Sequence, residues 1–401
     1  MNRILLVPSS DYLGHPFPQR HNQIFERLHD EKNFEVHVVR FKLFDKPHLK
    51  TELIIHELGG MRISKAAPYY FANSIDQAYQ IRRIIKKEGI DVVVLSNLAS
   101  PFAYTLMNQL TRSSIPIIID LPDYFPTSAT GYLFDSGTVA SKLLTGTFNS
   151  MLRYMMRRAS AVTVASHALG EYAKVAGANR VVHVPNGVGE GFLELHDGND
   201  LREKLGYSKE DFVVGYIGSL EFWLDMKSLI KGVSIAKRKG VPIKLLIVGG
   251  KLVTNYSENL SNWVKQEKVE EETQFLDFIP YELVPEYISA FDVGTIPFDV
   301  LNPTAYYSAP NKMWEYLSQR KPVFCSPIPE ALYNSDCILI GLTAEDYARQ
   351  FLLVFKKNAE VLQKVEMGYQ KALNKTWTNS ARLFGSTVYS LLNQAQRAEN
   401  R

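Results

Sequence analysis

The segment 308–323 brings Pro310, Asn311, Lys312 and Glu315 within a few residues of one another. It reads as a loop, a short helix and then a strand beginning at Lys321-Pro322-Val323. Proline fixes φ near the value a helix start requires. The first N–H groups of a helix lack intrahelical acceptors and carry partial positive charge, which suits a phosphate or diphosphate. Lys312 adds a point charge. Glu315, about a turn further in, can accept hydrogen bonds from a pair of sugar hydroxyls. The combination predicts half of a nucleotide-sugar site; the plainer alternative is a surface helix with a helpful first-turn carboxylate.

A second candidate is Gly215-Tyr216-Ile217-Gly218-Ser219-Leu220, at the end of an apolar run. Gly218 would let a phosphate approach the backbone closely, and Ser219 can donate a hydrogen bond. Lys227 follows and could reach a diphosphate. An ordinary strand-to-loop turn has the same pattern. A third lies early in the chain, where the loop from Ser9 through Gly14 and His15 to Pro16 follows the first apolar run, with Arg20 beyond it. The loop from Asp120 through Asp123 to Pro126 follows another. His15, Asp120 and Asp123 could bind hydroxyls or handle a proton, or could serve as turn residues and caps.

These loops need a scaffold. Apolar runs at 3–8, 34–40, 91–96, 115–120, 161–165 and 181–185 alternate with helical patterns at 19–30, 73–88, 99–112, 138–159 and 167–176. Runs that are apolar throughout suit parallel strands covered on both faces. The pattern restarts with strands at 212–217, 243–248, 273–277, 292–296, 322–325 and 337–340, and a last helix covers about 379–397. The expected fold is α/β: two tandem Rossmann-like, doubly wound domains facing a cleft. The expected domains are 1–186, joined by a C-terminal helix at 378–401, and 187–377. Pro185-Asn186-Gly187-Val188-Gly189-Glu190-Gly191 is glycine-dense and reads as the linker.

A length of 401 residues calls for two cores rather than one. A net charge of +3 gives no reason to expect nucleic acid as a partner. Two cysteines are too few for a disulfide framework and suggest a reducing, cytoplasmic setting. No apolar run is long enough to span a membrane. The stretch 138–159 mixes Leu143, Leu144, Phe148, Met151 and Met155 with Lys142, Arg153, Arg157 and Arg158. It reads as a core-packed helix with a solvated basic face, or as a peripheral contact with the inner face of an anionic membrane. There is no G-x-G-x-x-G after a strand, no P-loop, no Asp-x-Asp pair and no His/Cys cluster at metal-ligand spacing. No cofactor or metal is expected.

Taken together, these segments resemble the retaining glycosyltransferases of family four, which have the GT-B fold. Val184-Pro185-Asn186-Gly187-Val188 is similar to that family's interdomain signature, 215–220 to its glycine loop and 245–250 to the following strand. The run 275–280, with 284–287 and 291–294, is similar to its nucleobase side, and 310–323 to its donor helix. Trp377 and the last helix resemble the segment that crosses back onto the first domain. The resemblance implies that Glu315 holds the ribose hydroxyls, and that Asn311 and Lys312 offer backbone amides to the diphosphate. It places Ile279 by the base, Gly218 and Ser219 in the phosphate loop, and Gly14 in the acceptor-side loop.

Two departures stand out. Tyr307 replaces the first glutamate of the E-x7-E motif, which contacts donor-sugar hydroxyls in the family. The Arg and Lys after the glycine loop are also absent, with Ser219 and Leu224 near their places; Lys227 or Lys251 could compensate. The expected activity is transfer of a sugar from a UDP- or GDP-linked donor to a glycan or lipid-linked acceptor, as in polysaccharide or glycan biosynthesis. The alternatives are an epimerase or hydrolase of the same fold, with His15 and Asp123 as its acid/base pair, and a degenerate, non-catalytic relative.

Overall fold

The structure is a computed structural model and describes residues 1–15, 17–31, 34–41, 48–61, 63, 69, 72–96, 101–111, 113–131, 138–250 and 256–399. The chain divides into two compact units, Met1–Pro185 with Trp377–Arg401, and Asn186–Thr376.

The first unit is built on a parallel sheet of β1 (Asn2–Val7), β2 (Phe34–Arg40), β3 (Ile54–Glu57), β4 (Val92–Ser96), β5 (Ile117–Leu121), β6 (Ala161–Val164) and β7 (Val181–His183), in the order β3-β2-β1-β4-β5-β6-β7. The crossovers carry α1 (Arg20–Asp30), α2 (Ser74–Glu88), α3 (Pro101–Leu110), α4 (Phe125–Gly131), α5 (Val139–Met156) and α6 (His167–Val175). β4 and β5 are buried at every position, as a strand covered on both faces must be. The strand order reverses at β1 and β4, so the loops leaving their C-terminal ends flank the crevice where doubly wound sheets hold ligands.

In the second unit the order is β10-β9-β8-β11-β12-β13. The strands are β8 (Phe212–Ile217), β9 (Ile243–Val248), β10 (Thr273–Leu276), β11 (Val293–Ile296), β12 (Val323–Cys325) and β13 (Leu339–Ile340). The helices are α7 (Asn199–Lys204), α8 (Met226–Arg238), α9 (Leu260–Glu267), α10 (Val284–Ser289), α11 (Pro303–Tyr306), α12 (Asn311–Ser318), α13 (Pro329–Tyr333), α14 (Ala344–Phe355) and α15 (Ala359–Ala372). Here the order reverses between β8 and β11. The loop after β8 holds Gly218, and the crossover from β11 to β12 contains α12. Two segments singled out by their chemistry thus meet at one switch point.

The last helix, α16 (Trp377–Glu399), belongs to the first unit. Trp377, Ala381, Phe384, Val388 and Leu391 recur at helical spacing and are all buried, and Phe384 meets Phe25 of α1 edge-on at 5.1 Å.

One expectation needs correction and one gains detail. The sequence reading missed β3, which among the described residues pairs with β2 alone and leaves Ile54 and Glu57 exposed; an edge strand with a wet face lacks the apolar run that marks the others. The boundary between the two units falls at the start of the glycine-dense 185–191, and the segment is tied down on the side of the second unit. Val188 is fully buried, its N–H donates to the Lys375 carbonyl at 2.7 Å, and the Asn186 amide donates to the Ala309 carbonyl at 2.8 Å. Both cysteines are free and buried, and burial raises both thiol pKa values. Among the described residues no helix is long and apolar enough to cross a membrane.

Candidate active site

Pro310 forms the N-cap of α12, with φ −67°, and among the described residues no side chain caps this helix. The first-turn N–H groups of Asn311 and Lys312 are therefore free of intrahelical and side-chain acceptors. The loop before them is fixed: the Ala309 carbonyl is held by Asn186, and the Ser308 hydroxyl donates to the Ala305 carbonyl at 2.8 Å. Asn311 carries a buried Oδ1 with no partner.

Lys312 turns back toward the loop after β8. Its Nζ lies 4.2 Å from the centroid of the Tyr216 ring, and a Cβ built on Gly218 would stand 2.6 Å from that ammonium. Gly218 has φ +143°, which only glycine adopts without strain. Gly249, at φ +134°, lets the next loop touch it: a Cβ there would lie 2.0 Å from the Gly218 carbonyl oxygen. The Gly218 N–H donates to the Val248 carbonyl at 2.9 Å, and the Tyr216 hydroxyl to the Ser219 carbonyl at 2.6 Å. The result is a rigid loop with a lysine ammonium over it.

Glu315, three residues after Lys312 on the same helix, is 9% exposed and accepts a hydrogen bond from the Tyr281 hydroxyl at 3.3 Å. Burial pushes its carboxyl up to about 7, against the pull of Lys312 and Tyr281. Burial also brings the Lys312 ammonium down to about 8, with Glu315 opposing. Such paired shifts in one region are a mark of functional sites. Ile279 is half-buried two residues before Tyr281, whose ring packs on Phe192 at 5.2 Å.

Asn311, Lys312, Glu315, Gly218 and Ser219 therefore gather at one switch point, with Ile279 linked to it through Tyr281. Lys227 does not join them directly. It is exposed on the first turn of α8, behind the N-cap Asp225, and no contact among the described residues ties it to Lys312 or Gly218. Lys251 lies outside the described residues. Tyr307 is half-buried as the C-cap of α11, its ring edge-on to Tyr306 at 5.1 Å. The sequence reading missed Tyr216 and Tyr281, which look like core residues in a strand and a turn. It also missed Glu221, fully buried and acting electrostatically on Tyr216.

In the first unit, the loop after β1 holds Gly14, buried, with its N–H on the Asp11 carbonyl at 3.2 Å. His15 Nε2 lies 3.0 Å from the Ser10 hydroxyl, and burial lowers the imidazole pKa. Asp11 and His48 are among the charges acting on His15. Asp123 is half-buried just before α4. Asp120 is fully buried: Arg20 grips it with two hydrogen bonds of 3.1 Å, and the Thr163 hydroxyl donates at 2.7 Å. It ties β5 and β6 to α1. His21, unremarked in the sequence, is buried with an unpartnered Nε2, and burial lowers its pKa to about 3.

A family model for "Glycosyl transferases group 1" matches residues 197–332, and one for "Glycosyltransferase Family 4" matches residues 21–190. No curated protein matches the sequence significantly. Among solved structures, sucrose-phosphate synthase from Thermosynechococcus elongatus superposes with a TM-score of 0.77 at 15% identity, over 98% of this chain and 100% of that one. HepE of Anabaena, in complex with UDP, gives 0.72 at 15% identity, over 97% and 100%. An alpha,alpha-trehalose-phosphate synthase (UDP-forming) from Burkholderia vietnamiensis gives 0.69 at 11%, over 97% of each chain. At such identities the likeness is one of fold. With a family model matched in each of its two units, the chain belongs to the family 4 glycosyltransferases of the GT-B fold.

Proposed function

We propose that the protein transfers a sugar from a nucleotide-diphosphate donor to a hydroxyl of a glycan or lipid-linked acceptor, with retention of anomeric configuration. The observation that carries this reading is the convergence of the α12 N-terminus, Lys312 and Gly218, with Glu315 one turn away. In the reaction, the bond between the anomeric carbon and the diphosphate breaks and a bond to the acceptor oxygen forms. Negative charge grows on the departing diphosphate, where helix N–H groups and the Lys312 ammonium stabilise it in place of a divalent metal. Glu315 accepts the ribose hydroxyls, and Ile279 lies against the base. The acceptor loses its proton; His15, whose imidazole pKa burial lowers, and Asp123 are our candidates for receiving it. HepE has been solved with UDP-glucose, which favours a uridine nucleotide over the guanosine alternative.

The test is to offer UDP- and GDP-sugars with glycan and lipid-linked acceptors, in EDTA, and read the anomeric proton of the product by NMR. The proposal expects acceptor-dependent turnover with the donor's configuration kept. Inversion, loss of turnover on chelation, or donor breakdown that ignores the acceptor would each contradict it.

The start of α5 supports a peripheral membrane contact as part of the same reading. Leu152, Met155 and Met156 are buried, so the C-terminal half of the helix is core. Val139 and Leu143 are 74% and 69% exposed, with Lys142 between them. Sedimentation with anionic vesicles at low salt should fall when Lys142 is neutralised; an absence of binding ends this part.

A further inference from the structure

We propose that the first unit carries a second carbohydrate site, for an acidic saccharide, in the cavity between the C-terminal halves of α2 and α3. The cavity measures about 620 Å³, within the range of small-molecule sites. Arg82, Lys86, Tyr104, Asn108, Gln109 and Ser114 are among its lining residues, and none of the lining residues is acidic.

Its position separates it from the site already described. α2 runs into β4 and α3 runs into β5, so the C-terminal ends of both helices lie at the N-terminal edge of the sheet. His15 and Asp123 follow β1 and β5, at the opposite edge. The proposal therefore does not depend on the transfer reaction.

The chemistry is that of a saccharide site. Tyr104 offers a ring, and its orientation is set by packing on Tyr154 at 4.8 Å between centroids; Arg158 in turn covers Tyr154 at 3.6 Å. The Tyr154 hydroxyl donates to Asn108 Oδ1, which fixes that amide and leaves its N–H groups as donors. Gln109 brings a second amide side chain to the lining. Arg82 and Lys86 stand one turn apart on α2, exposed, in no ion pair among the described residues. Two cations with no carboxylate among the lining residues favour an anionic group, and a ring accompanied by two planar amides suits the hydroxyls and apolar face of a sugar. A bare anion would use the cations and leave the rest idle. A glycan held here would be anchored away from its reacting end.

The experiment titrates trigalacturonic acid, maltotriose and inorganic phosphate into the full chain and into an Arg82→Ser/Lys86→Ser variant, reading affinity by calorimetry and ring contacts by saturation-transfer NMR. The expected result is saturable trigalacturonate binding, weakened at least about tenfold in the variant and unaffected by saturating UDP. Tyr104→Leu should weaken it too, with the melting curve showing that the fold is kept. Absence of trigalacturonate binding at about 10 mM, equal affinity for phosphate or for maltotriose, or binding unchanged in the Arg82/Lys86 variant would overturn the proposal.

Discussion

The Lys312 ammonium rests on the face of Tyr216, 4.2 Å from the ring centroid, directly beside the backbone of Gly218. A residue at a helix start is thus held against a residue inside a strand almost a hundred positions earlier. The aromatic face stabilises a cation that burial would otherwise neutralise. Replacing Tyr216 by Leu should weaken nucleotide-diphosphate binding by about 1 kcal/mol, the size of a partly desolvated cation–π contact. Tyr216→Phe should retain most of that affinity. Calorimetric titration of both variants checks this.

Gly218→Ala should be more damaging. The added methyl would sit against Lys312 Nζ on a backbone with φ +143°. The expected outcome is loss of donor binding by about 2 kcal/mol or more, from backbone strain and displacement of the lysine together. Donor affinity and a melting curve separate the local effect from global unfolding.

The two shifted groups predict a bell-shaped pH dependence of nucleotide-sugar binding. Below about 7 Glu315 takes up a proton and becomes a poorer acceptor for hydroxyls; above about 8 Lys312 loses its charge. Affinity should peak between these values. Stability of the free protein follows the same groups with a definite sign. The raised Glu315 stabilises fully below its ordinary value of 4.5, and that contribution is lost as pH rises through about 7. The depressed Lys312 stabilises fully above 10.5, and that contribution is lost as pH falls through about 8. Glu315→Gln should flatten both the acid limb of binding and the fall in melting temperature from pH 5 to 7.

Asp120 carries a different prediction. It is an anchor within the first unit, so Asp120→Ala removes the carboxylate that the buried Arg20 guanidinium grips. Breaking a buried pair this way costs about 3–5 kcal/mol. Chemical denaturation should show that loss, while nucleotide binding in the second unit stays unchanged in the folded variant.

The reach of the sequence follows from burial. Val92 to Ser96 and Ile117 to Leu121 are buried on both faces and announce themselves as apolar runs. Ile54 to Glu57 is an edge with a wet face and leaves no such trace. At the site, Glu315, Lys312 and Gly218 were legible because a charge at a helix start and a glycine after a strand are local signals. Tyr216 and Tyr281 were not, because an aromatic residue in a strand or turn looks like core until the fold brings a cation or a carboxylate to it. For Asp120 the sequence left a structural and a binding role open, because the partner that grips it, Arg20, lies a hundred residues earlier.

The central claim is that the second unit holds a nucleotide diphosphate at the start of α12 with Glu315 on its ribose. Thermal denaturation of the wild type and Glu315→Ala with UDP, GDP, ADP and dTDP tests it most directly, since a ligand of the folded state raises the melting temperature by mass action. The account predicts a clear rise with UDP or GDP in the wild type. It also predicts an affinity lower by about 1.5–3 kcal/mol in Glu315→Ala, the value of hydrogen bonds to a charged group. No rise with any nucleotide, or an equal rise in both proteins, would contradict it.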